Sequence, residues 1–181
     1  KGYSSARMDD IVDESGLSKG AIYHHYESKK DGLLSIYYRL INGKTGYKPG
    51  GITLAGTNIG VNPSDVTSNL VKVEWQPGGC VLHRRENLVL EDFYPYKGKA
   101  YCEDLIHSFL LRQAGVGLFV NIHAKCTAFL ISRPSLLNEL VPDFKIRLYF
   151  VNMAGLSRVR MLIHYMIYII RSIAVTFVNK K

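Results

Sequence analysis

The chain has 181 residues, 47% hydrophobic and 21% charged, which fits an ordinary folded globular protein rather than a disordered one. Its formal net charge of +8 favours polyanionic partners in general. Three widely spaced cysteines, Cys80, Cys102 and Cys126, do not make a disulfide framework, so a reducing cytoplasm is the expected compartment. The opening residues carry no apolar stretch of the kind a secretory signal needs. In chain order, residues 8–34 read as two amphipathic helices joined by a tight turn, then the start of a third. Met8, Ile11, Val12 and Ser15 recur at i, i+3, i+4 and i+7, one stripe of a helix, with Asp9 and Asp10 at its positive end. Gly16 accepts the left-handed backbone that stops a helix, Leu17 plugs the angle, and Ser18 is a suitable N-cap for the next. That short helix, 19–26, turns Ile22 and Tyr26 inward and Lys19, Ala21, Tyr23 and His24 outward. Ser28 then caps a third helix whose expected buried side is Leu33, Leu34, Tyr37, Tyr38 and Ile41. Helix, glycine turn and short helix with a polar outer face make a helix-turn-helix.

In that run, Gly2-Tyr3, Asp10-Ile11, Gly16-Leu17-Ser18, Ile22-Tyr23, Tyr26, Ser28-Lys29 and Leu33-Leu34 fall in register without a gap. The segment resembles the N-terminal DNA-binding domain of the tetracycline-repressor (TetR) family, with Tyr26 where the family usually has Phe. The resemblance implies that the helix from Lys19 lies in the major groove. Lys19 and His24 would reach phosphates or base edges, and Tyr23 a phosphate through its hydroxyl. Gly20 and Ala21 would permit close approach, and Lys29 would hold a phosphate at a helix N-terminus. Arg7 stands where the family often has a hydroxyl residue touching the backbone. The implied DNA-contact set is Arg7, Ser18, Lys19, Gly20, Ala21, Tyr23, His24 and Lys29. The family's longer first helix has no full counterpart, so a truncated first helix is expected. Residues 1–42 hold six Lys or Arg and six Asp or Glu, so the whole positive excess belongs to residues 43–181.

Composition shifts sharply after Ile41. Six glycines fall within residues 42–60, too many for a helix, whereas the family would continue as an all-helical ligand-binding and dimerisation domain. Residues 71–75 (VKVEW) alternate as a strand, as do 81–82 and 88–90 around HRREN, with Gly78-Gly79 as the turn. Residues 101–113 read as a helix with Leu105, Phe109 and Cys102 on one face, closed by Gly115. Residues 116–132 are apolar, a strand pair or a helix. Pro134 suits the first turn of a short helix running to Val141, 144–151 (FKIRLYFV) alternate as a strand, and 157–178 read as a long helix. His164 and Arg171 interrupt that last apolar run, which favours a core or dimer-interface helix over a membrane span.

Little else in the sequence carries chemistry. Asn42-Gly43-Lys44-Thr45 lacks the earlier glycine of a phosphate-binding loop, since that position is Tyr38, and reads as a polar turn. Gly115-Val116-Gly117 lacks the third glycine of a dinucleotide site. Cys80 and His83 form one close pair, with Cys102, His107, His123 and Cys126 farther on, and zinc needs three or four convergent ligands, so no metal is expected. Glu91-Asp92 and Glu103-Asp104 are solvated acid pairs, no nucleophile elbow appears, and neither an enzyme nor a cofactor is indicated.

The expected fold is mainly α, a TetR-like helix-turn-helix over 1–41 followed by a helical ligand-binding and dimerisation domain over 42–181, with an α+β second region as the alternative. The expected function is a cytoplasmic, DNA-binding transcriptional regulator: a ligand-responsive repressor that binds a two-fold symmetric operator as a homodimer. Its partners would be double-stranded DNA and a small-molecule effector, with no membrane. The alternative is a helix-turn-helix fragment joined to an unrelated or mis-specified tail without regulatory function.

Overall fold

The computed structural model describes residues 29–78, 81–88, 93–97, 100–124 and 136–178. The chain divides into two compact units, Lys1–Tyr47 and Lys48–Lys181. In the first, helix α1 spans Lys29–Asn42 and tightens into a 3-10 turn at Gly43–Thr45. Gly43 reverses the chain with φ 67°, a backbone that costs a glycine little. Side chains satisfy the freed groups: Asn42 Nδ2 donates to the Gly46 carbonyl at 2.7 Å, and Thr45 Oγ1 to the Asn42 carbonyl at 2.8 Å. The Asn-Gly-Lys-Thr stretch is thus a helix terminus. Ile41 is buried and Tyr37 and Tyr38 are half-buried, but Leu33 and Leu34 are 48% and 38% exposed, contrary to expectation. Seven apolar residues crowd positions 33–41 of α1, more than a single stripe can hide.

The glycine-rich start of the second unit folds back on itself. Gly50 N donates to the Gly60 carbonyl, Ile59 N to Gly51, and Thr53 N to Thr57, with Ile52 and Asn58 forming an isolated antiparallel bridge. At its tip the buried hydroxyls of Thr53 and Thr57 share a hydrogen bond of 2.8 Å. Gly56 turns the tip with φ 72°, and a Cβ there would collide with Val151. Trp75 Nε1 donates to the Ile59 carbonyl at 2.8 Å and ties this loop to the sheet.

Strand β1, Leu70–Val73, lies antiparallel to β2, Leu118–Asn121, with Leu70 opposite Asn121 and Val73 opposite Leu118. The expected pairing of 71–75 with 81–82 does not occur. Val81 and Leu82 lie outside any strand, Leu82 fully exposed, and Arg85–Asn87 is a 3-10 turn. Residue 88 is likewise not in a strand, and 89–90 fall outside the described residues. The reason is local. Pro77 offers no donor, while Gln76 N donates to Ser108 Oγ at 3.0 Å and Gln76 Nε2 to the Phe119 carbonyl at 2.7 Å. The chain after β1 therefore turns toward α2, Glu103–Gln113, which buries Leu105, Ile106, Ser108 and Leu111. Cys102, at φ 53°, opens this helix and Gly115, at φ 81°, follows it. Val73, Leu111 and Leu118 make one small core.

Helix α3, Leu136–Met153, contains Pro142 and all of residues 144–151. The strand expected there is wrong, and so is a helix end at Val141. Ile146 and Phe150 pack with Cys102, Leu105 and Ile106, while Phe144 and Leu148 join Val151, Met161 and Tyr165. Two i, i+4 stripes displaced by two positions mimic strand alternation when written in line. The turn at Gly155 joins α3 to α4, Arg158–Val178. Leu156 N donates to the Val151 carbonyl at 2.8 Å and Gly155 N to Asn152 at 3.3 Å, a Schellman cap closed by the Leu156–Val151 contact. Ser157 then caps α4, its Oγ accepting from Arg160 N at 3.4 Å. Among the described residues the architecture is mainly α, four helices with one two-stranded ribbon.

Candidate DNA-reading segment and clefts of the second unit

Of the expected DNA-contact residues, Arg7, Ser18, Lys19, Gly20, Ala21, Tyr23 and His24 lie outside the described residues. So does the expected cap, Ser28. Lys29 is the first residue of α1. Helix α1 is the described part of this segment, and its Tyr38 ring stacks at a tilt on Tyr47, centroids 5.1 Å apart.

In the second unit Arg147 is held by three neighbours. Its Nη1 donates to the Gly56 carbonyl at 2.7 Å, its Nη2 to Asp143 Oδ1 at 3.1 Å, and its Nε to Tyr165 Oη at 3.2 Å. The Tyr165 hydroxyl donates in turn to Asp143. Burial, and then the hydrogen bond to Asp143, hold the Tyr165 hydroxyl well above its usual range, so it remains a donor. Cys102 lies at the edge of the network, Sγ 3.7 Å from Asp143 Oδ1, and burial pushes its thiol up to about 12, so it is an inert thiol. A cleft of about 320 Å³ opens beside the network, lined by Tyr101, Glu139, His164 and Tyr168 among others. Burial, and secondarily the Arg147 charge, lower His164 to about 4, leaving a neutral imidazole on its wall at neutral pH.

Two further clefts flank α2. One of about 520 Å³ holds His83 and His107, ring centroids 5.2 Å apart, with Phe93 stacked on His107. Burial and the neighbouring His83 lower the His107 pKa, and burial raises that of Asp104. Among the described residues no three His, Cys, Asp or Glu side chains are placed to hold a metal ion. Cys80 and Cys126 fall outside them. The other cleft, of about 430 Å³, is walled by Lys48, Lys72, Glu74 and Arg112.

Helix α4 buries Met161 and Tyr165 but leaves Val159, Leu162, Met166, Ile169 and Ile173 exposed at 67%, 49%, 62%, 36% and 51%. Steps of three, four, three and four make this outer stripe a heptad seam, the spacing of helices that pack along their length. No helix among the described residues is long and apolar enough to cross a membrane.

Residues 1–35 match the family model of bacterial regulatory proteins, tetR family. The N-terminal segment is thus similar to the DNA-binding region of that family. No curated protein and no solved structure matches the chain. The tetR-family match supports a helix-turn-helix at the N-terminus and points to a DNA-binding regulator rather than an enzyme. It ends within α1, so the clefts and the α4 seam belong to a part of the chain that the family model does not reach. Sequence reading missed Asp143 and Arg147, because a strand over 144–151 separates them. Their i, i+4 spacing, the signature of an ion pair on one helix face, was the available signal.

Proposed function

We propose that the chain is a cytoplasmic transcriptional repressor of the TetR type, which binds a two-fold symmetric operator as a homodimer and releases it on binding a small molecule. The reading rests on the tetR-family match over residues 1–35. In it, residues 1–41 form the reading head and 42–181 the effector and dimerisation domain. Lys19, Tyr23 and His24, with Ser18, Gly20 and Ala21 at the same helix start, meet the major groove, and Arg7 and Lys29 meet phosphates. The exposed heptad seam of α4 supports a dimer, since a second copy of the same helix covers it. The cleft beside Arg147 has a volume suited to a small effector.

Operator selection from a randomised palindromic pool, followed by gel shift, tests the reading head. The combined substitutions Lys19→Ala and Tyr23→Ala are expected to weaken binding about a hundredfold, from two lost charged or phosphate contacts at about 1–3 kcal/mol each. Undiminished binding sinks the reading. Sedimentation tests the dimer: Met166→Glu with Ile173→Glu yields monomers, and an unchanged mass removes α4 from the interface.

A further inference from the structure

The cleft of about 430 Å³ between β1, the end of α2 and the segment around Lys48 has an electrostatic imbalance. Three cations line it, Lys48, Lys72 and Arg112, against one carboxylate, Glu74. Glu74 is already committed. Its Oε1 accepts from Lys48 Nζ at 2.5 Å and its Oε2 from Ile52 N at 2.8 Å. Burial works against the Glu74 charge, but the Ile52 amide and Lys48 outweigh it and hold the carboxyl below its usual range. Lys48 is therefore neutralised. Lys72 and Arg112 have no hydrogen-bond or salt-bridge partner among the described residues. Pro49, Val73, Val116 and Leu118 complete the wall with three glycines, of which Gly115 is open, whereas Gly50 and Gly117 lie under the side chains of Val73 and Phe119. Arg112 also attracts Glu74 at longer range, but neither it nor Lys72 is bonded by a carboxylate, and a concave site of this size with two such cations suits a compact dianion.

We propose that this cleft binds a small phosphate-bearing molecule, gripped by Lys72 and Arg112, with Glu74 restraining Lys48 and so setting the affinity. The site lies wholly within the second unit and does not rest on the operator reading. A stripe of spaced cations would fit a polynucleotide backbone better. Here both border one hollow.

Inorganic pyrophosphate is the probe, titrated into the full chain at low ionic strength, with calorimetry and the fluorescence of Trp75, the sole tryptophan, as readouts. Lys72→Gln combined with Arg112→Gln weakens binding about tenfold or more. Glu74→Gln tightens it, because the amide oxygen still accepts from Ile52 while Lys48 is released. Lys145→Gln combined with Arg171→Gln removes the same total charge elsewhere and leaves affinity unchanged. Absence of binding to the parent chain overturns the proposal, as does an equal loss in the Lys145/Arg171 control. A short random-sequence duplex that competes with pyrophosphate through Lys72 and Arg112 makes the face a nucleic-acid contact, and also overturns it. Should the Lys72/Arg112 variant fail to fold by circular dichroism, the Glu74→Gln variant decides: no gain in affinity refutes the assignment.

Discussion

Gly56→Ala isolates the packing that seats the glycine-rich loop on α3. Gly56 has φ 72°, and an added Cβ would stand 2.5 Å from Val151 Cγ2 and 3.5 Å from Phe150 Cδ1. Val151 and Phe150 are both fully buried, so neither can swing into solvent. The left-handed backbone costs alanine about 1–2 kcal/mol. Forcing a methyl into a filled core adds about 1–3 kcal/mol. Loss of unfolded-state freedom returns about 0.4–1 kcal/mol, so the net destabilisation is roughly 2–4 kcal/mol. Gly115→Ala is the matched control. Its φ is 81°, but a Cβ there meets nothing within 4 Å, so only the backbone cost applies. Urea unfolding followed by Trp75 fluorescence reads the second unit, and Gly56→Ala should fall below Gly115→Ala by about 1–3 kcal/mol. Val151→Ala in the Gly56→Ala background should cost less than it does alone, because it removes the colliding methyl. If Gly56→Ala and Gly115→Ala agree within about 0.5 kcal/mol, the packing argument is wrong.

Two other perturbations follow from the Arg147 network. Asp143→Ala strands a guanidinium whose side chain is 13% exposed, and is expected to cost toward the lower end of about 3–5 kcal/mol because Asp143 itself is 27% exposed. Asp143→Leu with Arg147→Met should cost clearly less in the same urea titration, and equal losses would refute a stranded charge as the cause. The neutral His164 makes stability acid-sensitive. Its folded pKa of about 4 lies below its unfolded value near 6.5, so its contribution is complete above 6.5 and is lost as the pH falls toward 4. The slope is bounded by about 1.4 kcal/mol per pH unit and is smaller in practice, since the ring is only partly buried. His164→Gln should flatten stability between pH 6.5 and 4, and an unchanged profile would assign that limb to other groups.

The helices that announced themselves did so through punctuation as well as periodicity. Ser157 caps α4 where a helix was expected to begin, and Gly115 follows α2 where one was expected to end. The segment 144–151 misled because α3 is apolar on two sides, and Lys145, Arg147 and Tyr149 fall between the apolar positions as they would in a strand. Pro142 lies inside α3, and contacts on both flanks carry the helix through it. The partner of β1 was illegible for a different reason. It comes from beyond α2, and strand pairing across such a separation leaves no local mark. The clefts were equally hidden: Lys72, Glu74 and Arg112 are ordinary surface residues in the sequence, and only the sheet and the end of α2 bring them together. The N-terminal segment was the reverse case: residue types in fixed order, Gly16, Ser18, Lys19 and Tyr23 among them, carried a resemblance that the family match over residues 1–35 supports.

In the proposed regulator, the geometry of α4 bears on how an effector and a dimer would communicate. His164, Tyr165 and Tyr168 face the cleft beside Arg147, while Met166 and Ile169 belong to the exposed seam one step around the same two turns. Arg147 connects that cleft to the loop tip through the Gly56 carbonyl, and the Ser157 amide donates to Leu54 at the same tip. A ligand that wedges between Tyr165 and Asp143 would shift α4 against α3 only by moving Met161 and Val151, which are packed without exposed surface. Any such shift moves the seam with it, since a helix moves as a rigid rod. Coupling between cleft and dimer therefore needs no long pathway, only two faces of one helix and a core that resists continuous deformation.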